Sequence, residues 1–439
     1  MASRTTPRMG SGADRWFGIR TQLHSKLVNS LTPDQLRSLN KEGVREQIGN
    51  VLEPLVRGES IPMTLAERER LIEEVLDEVF GLGPLEPLLK DPTISDILVN
   101  GFDSVYVERG GRLVETNVRF KDQNHVRMII DRIVSNIGRR VDDSSPIVDA
   151  RLEDGSRVCA VIPPVSLIGP VISIRRFGKK LLSTEDLLKN DTFTTGMLDF
   201  LSGCVEARLN IIISGGSGSG KTTMLNILSR FIPEEERVVT IEDTAELQLQ
   251  QSHVVRLETR PMNIEGAGAI TQRDLVINAL RMRPDRIVIG ECRGPEALDM
   301  MQAMNTGHDG SMTTTHANSG RDAFSRLETM VMMASQHIPD KVIRQMLVSA
   351  INVVLHTSRL NDGSRRVTSI SEVVGCDGDQ VEIEDVFVFD REGVSSHGKV
   401  VGRFRATGYR PMALDRLRTY GITLPASIFS EVKEVKDRV

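Results

Sequence analysis

Apolar residues in LAERERLIEEVLDEVF (65–80) recur every three or four positions. Leu65, Leu71, Ile72, Val75, Leu76, Val79 and Phe80 form one stripe, and acids and arginines fill the other face. That period predicts an amphipathic helix, and 19–80 reads as helical, a bundle or docking element. After GLGPLEPLL the pattern changes. ISDILVN and SVYVE alternate as strands do, and the glycines of ERGGRLVE predict a hairpin turn. DQNHVRMIIDRIVSNIG returns to helical spacing, with Val126, Ile129, Ile130, Ile133, Val134 and Ile137 on one side. RVCAVIPP and GPVISIRRF read as further strands. From 191 onward, short apolar runs (NIIIS, VVTI, RIVIG, SMTTT, INVVL) alternate with helical stretches. Such runs fit parallel strands covered on both faces, hence an α/β fold. The predicted order is a disordered tail (1–14), an N-terminal helical region (15–89), an α+β domain (90–178), a linker (179–190) and an α/β domain (191–439).

Composition adds exclusions. The 439 residues hold 39% apolar and 26% charged side chains with a net charge of −5, an ordinary globular balance. A general nucleic-acid binder carries a basic excess or tract, and neither occurs here, so no direct nucleic-acid partner is expected. The cysteines at 159, 204, 292 and 376 form no C-x-x-C pair, which argues against structural zinc and fits reduced thiols in a cytoplasm. The chain opens with no signal peptide. The longest weakly charged run, 160–174, is too short to cross a bilayer. No transmembrane segment is expected, and any membrane association goes through a partner or an amphipathic surface.

The stretch GGSGSGKTT (215–223) follows the strand-like NIIIS and opens the helix-like KTTMLNILSRF. Gly215, Gly220, Lys221 and Thr222 fit G-x-x-x-x-G-K-[ST]. A glycine-rich turn can aim successive N–H groups inward as an anion nest, and the following helix adds its positive end. Gly215, Ser217, Gly218, Ser219, Gly220, Lys221, Thr222 and Thr223 are therefore candidate ATP ligands. Lys221 reaches the β- and γ-phosphates, Thr222 ligates Mg²⁺, and Thr223 is a weaker candidate for the α-phosphate.

Two further apolar runs end in acids. VVTIEDTAEL places Glu242 and Asp243 after one strand, and RIVIGE places Glu291 after another. In open α/β sheets ligands sit at the carboxyl ends of strands. Carboxylates there hold Mg²⁺, directly or through water, or orient the attacking water. Glu291 is a candidate metal ligand with Thr222, and Glu246 reads as structural. His308 and His316 flank SMTTT and are placed to sense the γ-phosphate or the water. Hydrolysis also needs a cation on the transferring group. Arg151, Arg157, Arg175, Arg176, Arg256 and Arg260 are candidates, and residue type does not choose among them.

GGSGSGKTT, TIEDTAEL, RPDRIVIGECRG and MNTGHDGSMTTTHANS, in that order, resemble the Walker A, Asp box, Walker B and His box of the type II/type IV secretion ATPase superfamily. FGLGPLEPLLKDPTISDILVNG, DARLEDGSRVCAVIPP and DGSRRVTSISEVVG resemble its tight-adherence (Flp) pilus branch of the CpaF/TadA type. The resemblance implies a RecA-like phosphate-loop core preceded by a small α+β domain, a homo-hexameric ring, ATP with Mg²⁺, and ATP hydrolysis. It implies pilus assembly through an inner-membrane platform protein, by a cytoplasmic motor peripheral at that membrane. It assigns hydrolysis to Glu242 and Glu291 without choosing the base, and a His box to His308 and His316. It brings Arg175 and Arg176, and then Arg157, toward the phosphates. The scattered cysteines depart from the type II branch with a four-cysteine zinc insert. A type IV secretion ATPase exporting protein or DNA is the neighbouring reading, and a nucleic-acid translocase a remote one.

Overall fold

The computed structural model describes residues 41–58, 64–135, 139–177, 182–262, 267–335, 337–378 and 380–436. The expected tail at 1–14 and Ile137 lie outside these residues. The chain divides into two compact units, Met1–Lys179 and Lys180–Val439.

In the first unit, helices α1 (Lys41–Gly58) and α2 (Leu65–Phe80) precede a short α3 (Glu86–Lys90). A reciprocal cap starts α2: Glu67 N donates to Thr64 Oγ1, and Thr64 N donates to the Glu67 carboxylate at 2.8 Å. The buried stripe of α2 is narrower than its sequence period. Leu71, Ile72, Val75 and Leu76 are buried, whereas Leu65 is 84% and Phe80 41% exposed, because both sit at helix ends. Strands β1 (Ile94–Asn100), β2 (Val105–Arg109), β3 (Arg112–Glu115), β4 (Ile147–Arg151), β5 (Arg157–Val161) and β6 (Val171–Arg175) form an antiparallel sheet ordered β3-β2-β1-β6-β5-β4. Helix α4 (Gln123–Ser135) buries Val126, Ile129, Ile130, Ile133 and Val134 in one core with the inward residues of these strands. Strand β4 is not legible in the sequence, because exposed Ile147 and intermediate Ala150 blur its alternation.

Part of the expected linker folds instead. Residues Thr184–Lys189 form helix α5, capped by Ser183 and Asp186, and Leu187 is buried in the core of the second unit. Helix α6 (Thr195–Glu206) follows. The second unit is built on strands β7 (Ile211–Gly215), β8 (Val238–Glu242), β9 (Val254–Glu258), β10 (Arg286–Ile289), β11 (Met312–His316), β12 (Val353–Arg359), β13 (Arg365–Asp377), β14 (Gln380–Val394), β15 (Val400–Ala406) and β16 (Val432–Val435). Their order is β16-β15-β14-β13-β12-β7-β11-β10-β8-β9. From β12 to β9 all neighbours are parallel, and from β12 to β16 all are antiparallel.

The five apolar runs that read as parallel strands are β7, β8, β10, β11 and β12. They are buried almost throughout because both faces are covered, and even the threonines of β11 (Thr313, Thr314 and Thr315) are enclosed. Ile211 and Ile213 pack with α6 and with α7 (Lys221–Ser229), while Ile212, Val239, Ile287 and Ile289 pack with α8 (Gln272–Ala279), α9 (Glu296–Asn305), α10 (Gly320–Ala334) and α11 (Asp340–Ala350). At the start of β10 a fully buried Arg286 donates from Nη2 to Glu236 Oε1 at 3.0 Å and from Nη1 to the carbonyl of Val205 at 2.6 Å. The antiparallel half is tied to α6 by Phe200, whose ring lies 5.9 Å from that of Phe387 and 6.1 Å from that of Phe429.

Candidate functional site

Because β12, β7, β11, β10 and β8 run parallel, their carboxyl ends share one edge of the sheet. Gly215 ends β7 in register with His316 of β11 and Thr357 of β12. Gly216, Ser217 and Gly218 are exposed and carry the chain to α7. Two glycines here are obligatory. A Cβ on Gly215 would stand 2.4 Å from the carbonyl oxygen of Thr357, and Gly220, which opens α7, has φ 103°. Ser219 is buried, its hydroxyl 2.9 Å from that of Thr357. Lys221 is only 7% exposed and donates from Nζ to the carbonyls of Gly215 (3.1 Å) and Gly216 (3.0 Å). Burial pushes its pKa down, with Arg293 adding and Glu291 opposing. Thr222 and Thr223 are half-buried in the first turn of α7. A glycine loop on a helix N-terminus, with an ammonium folded against it, fits a polyphosphate.

Beside the loop stands a ladder of charges from three strand ends. Glu291 follows β10 by two residues, and its backbone carbonyl accepts from Gln272 Nε2 of α8 at 2.8 Å. One carboxylate oxygen accepts from Arg293 Nη2 at 2.7 Å, and the other contacts His316 Nδ1. Arg293 also reaches Asp243 at 3.3 Å. Burial pushes the Glu291 carboxyl up, but Arg293, His316 and Lys221 together outweigh it and leave it below the ordinary range. Glu291 is thus held ionised facing Lys221, able to share a divalent cation with Thr222 or to orient a water. Among the described residues no cluster of three or more His, Cys, Asp or Glu could hold a metal alone. A cation here would need ligand oxygens, as a nucleotide supplies.

Glu242 is placed differently. It is 2% exposed, and its Oε1 accepts from the backbone N–H groups of Glu246 and Leu247, each at 2.8 Å. Its Oε2 is buried with no hydrogen-bond partner. Burial raises its pKa against those two N–H groups. Glu242 packs against Gly290, where a Cβ would meet its Cγ at 3.1 Å. It therefore organises the turn after β8 and abuts the Glu291 segment from behind. Glu246 takes part through its backbone.

His308 is not brought to this edge. It precedes Met312, which pairs with Ile211 at the amino end of β7, so it sits at the opposite edge of the sheet. Arg256 lies in β9 and Arg260 donates to the carbonyl of Gly268. Arg157, Arg175 and Arg176 belong to the first unit. There, Arg151 pairs with Arg157 and Arg157 with Arg175 in direct register, making a cross-strand row. Like charges in register repel, and Asp96, opposite Arg175 and 3.1 Å from its Nε, offsets part of this. Arg176 instead donates to the backbone carbonyls of Asp91 and Ile94. The row suits an anion, and Arg176 is committed to backbone.

Sequence reasoning missed Arg293, His356 and the pair Arg359 and Arg365. Arg293 stands two residues past Glu291 in GECRG, which is the signal that could have found it. His356 Nδ1 lies 2.8 Å from Ser214 Oγ behind the loop. Arg365 donates from Nε to the carbonyl of Gly218 at 2.8 Å.

Comparison with known proteins places this site in a family. Residues 78–405 match the family described as "Type II/IV secretion system protein", and 16–80 match "Type II secretion system protein E, N-terminal domain". A putative conjugal transfer protein of Mycobacterium tuberculosis is 37% identical over 72% of this chain and 90% of its own length. The type IV secretion system protein VirB11 of Brucella suis is 30% identical over 70% of this chain and 92% of its own. The crystal structure of the Brucella suis VirB11 ATPase in complex with sulphate covers 66% of this chain and 96% of its own, with 29% identity and a TM-score of 0.37. On the extent of these sequence matches, the chain belongs to the type II/IV secretion system protein family.

Proposed function

We propose that the chain is a Mg²⁺-dependent ATPase acting as a homo-hexameric motor. The observation that carries the reading is the meeting of a glycine-rich phosphate loop with His316 and the ionised Glu291 at one sheet edge. The loop amides and Lys221 grip the β- and γ-phosphates. Bound Mg²⁺, held by Thr222 and by Glu291 directly or through water, would screen the phosphate charge. Glu291 orients the attacking water and accepts its proton, Arg293 and His316 hold Glu291 in place, and Glu242 buttresses it. On the family resemblance, Arg175 and Arg176, and then Arg157, are the proposed cations for the transferring group. Wild-type phosphate release from MgATP, with Lys221→Ala reduced to background, is expected. Turnover unchanged in that variant would refute the reading.

The work proposed for this motor is assembly of a tight-adherence pilus through an inner-membrane platform protein, supported by the branch-specific stretches at 80–101, 149–164 and 362–375. Export through a type IV secretion system is favoured by the named conjugal transfer and VirB11 relatives. Counting surface filaments and scoring substrate export in a Lys221→Ala strain separates the two. Loss of filaments with export intact supports the pilus, and the reverse supports export. No helix among the described residues is long and apolar enough to cross a membrane, so the reading places the motor at the membrane through partners.

A further inference from the structure

The phosphate loop has a second wall that the hydrolytic groups do not use. Strand β12 lies against β7 on the side away from β11, and it continues past Gly215 as Ser358 and Arg359. A short turn leads into β13, which begins with Arg365. A cleft of about 220 Å³ opens here between the loop, Ala317 and Asn318 after β11, and His356, Ser358 and Arg359 of β12. Both arginines flank Gly218, the middle of the loop. Arg365 Nε donates to its carbonyl at 2.8 Å, and Arg359 Nη1 lies 3.5 Å from where a Cβ on Gly218 would stand.

Strand order fixes what this wall can touch. Neighbouring strands are about 4.8 Å apart. Glu291 ends a strand two places from β7 on one side, and Arg359 ends the adjacent strand on the other. The phosphate that reacts points toward Glu291 and His316. On the nucleotide-binding reading, the remainder of the nucleotide, common to substrate and product, would then fall on the side of the hairpin. A guanidinium suits it, because its fork matches phosphate oxygens and its plane stacks on a base.

We propose that the β12–β13 hairpin forms the nucleoside-diphosphate half of the site, with Arg359 a direct ligand and Arg365 a positioning residue that fixes Gly218. The inference rests on the nucleotide-binding reading above and deepens it. It is tested on the full chain with fluorescent methylanthraniloyl-ADP and the matching non-hydrolysable triphosphate, each with Mg²⁺. Arg359→Ala is expected to weaken both at least tenfold and by the same factor, while Arg359→Lys, which keeps charge but not the fork, recovers only part of the loss. Melting curves matching wild type establish that the variants are folded. Arg365→Ala is expected to speed amide exchange over 215–220 without added nucleotide, a signal that loss of a mere ligand would not give. Unchanged affinity in folded Arg359→Ala, or a loss confined to the triphosphate, would overturn the assignment. Wild-type protein that binds neither probe would instead sink the nucleotide reading itself.

Discussion

At the scale of single residues, two glutamates of one site have been driven in opposite directions. Glu291 keeps its charge because Arg293, His316 and Lys221 surround it, and Glu242 is pushed toward protonation by burial. Glu291→Gln is accordingly expected to lower turnover by about two orders of magnitude with nucleotide binding retained, as separate turnover and titration assays would record. His356 offers a pH test. Burial lowers its pKa, with Lys221 adding and Asp322 and the Asn318 backbone opposing. An unfolded histidine titrates near about 6.5, so between that value and the lower folded one the unfolded chain binds the extra proton. Stability is therefore lost as pH falls below about 6.5. Denaturant midpoints for His356→Gln should decline less over that interval than those of wild type. The loop was legible in sequence because an anion nest is a contiguous pattern. Arg293 was overlooked although it stands two residues past Glu291, whereas His356, Arg359 and Arg365 were hidden, because lone histidines and surface arginines are common and only the pairing of β7, β12 and β13 gives these positions meaning.

At the scale of elements, short, mostly apolar runs revealed five of the six parallel strands, whose two-sided burial leaves no exposed face; the edge strand β9 was missed because it is only half-buried. The antiparallel strands β13 and β14 were hidden, because their long, bulged runs mix buried and exposed positions and break the alternation that marks a half-buried strand. Helix α5 was hidden by its length, since six residues cannot display a period. The element ends also carry the most sensitive packing. Arg286 at the head of β10 is wholly enclosed, and Glu236 neutralises it. Glu236→Gln leaves that cation buried without its partner and is expected to destabilise the second unit by about 3–5 kcal/mol, read as a shift in urea midpoint at unchanged slope.

At the scale of the whole molecule, each of the two units has its own core. The second unit carries the loop, the acids and the hairpin arginines, and the first unit carries a row of arginines in register. The proposed ring predicts particles of six 48.7 kDa chains in light scattering with MgATP analogue present, and a monomer under those conditions contradicts it. The ends of β7, β8, β10, β11 and β12 come from residues 215, 242, 289, 316 and 359, far apart in the chain and adjacent only once the sheet is assembled. A chain emerging from the ribosome has the phosphate grip long before it has the carboxylate at 291 or the histidine at 316. On the proposed reading, consumption of fuel must wait until β10 and β11 have joined β7 and brought residues 291 and 316 beside the loop, so a fragment cleaved before them would hold nucleotide without spending it.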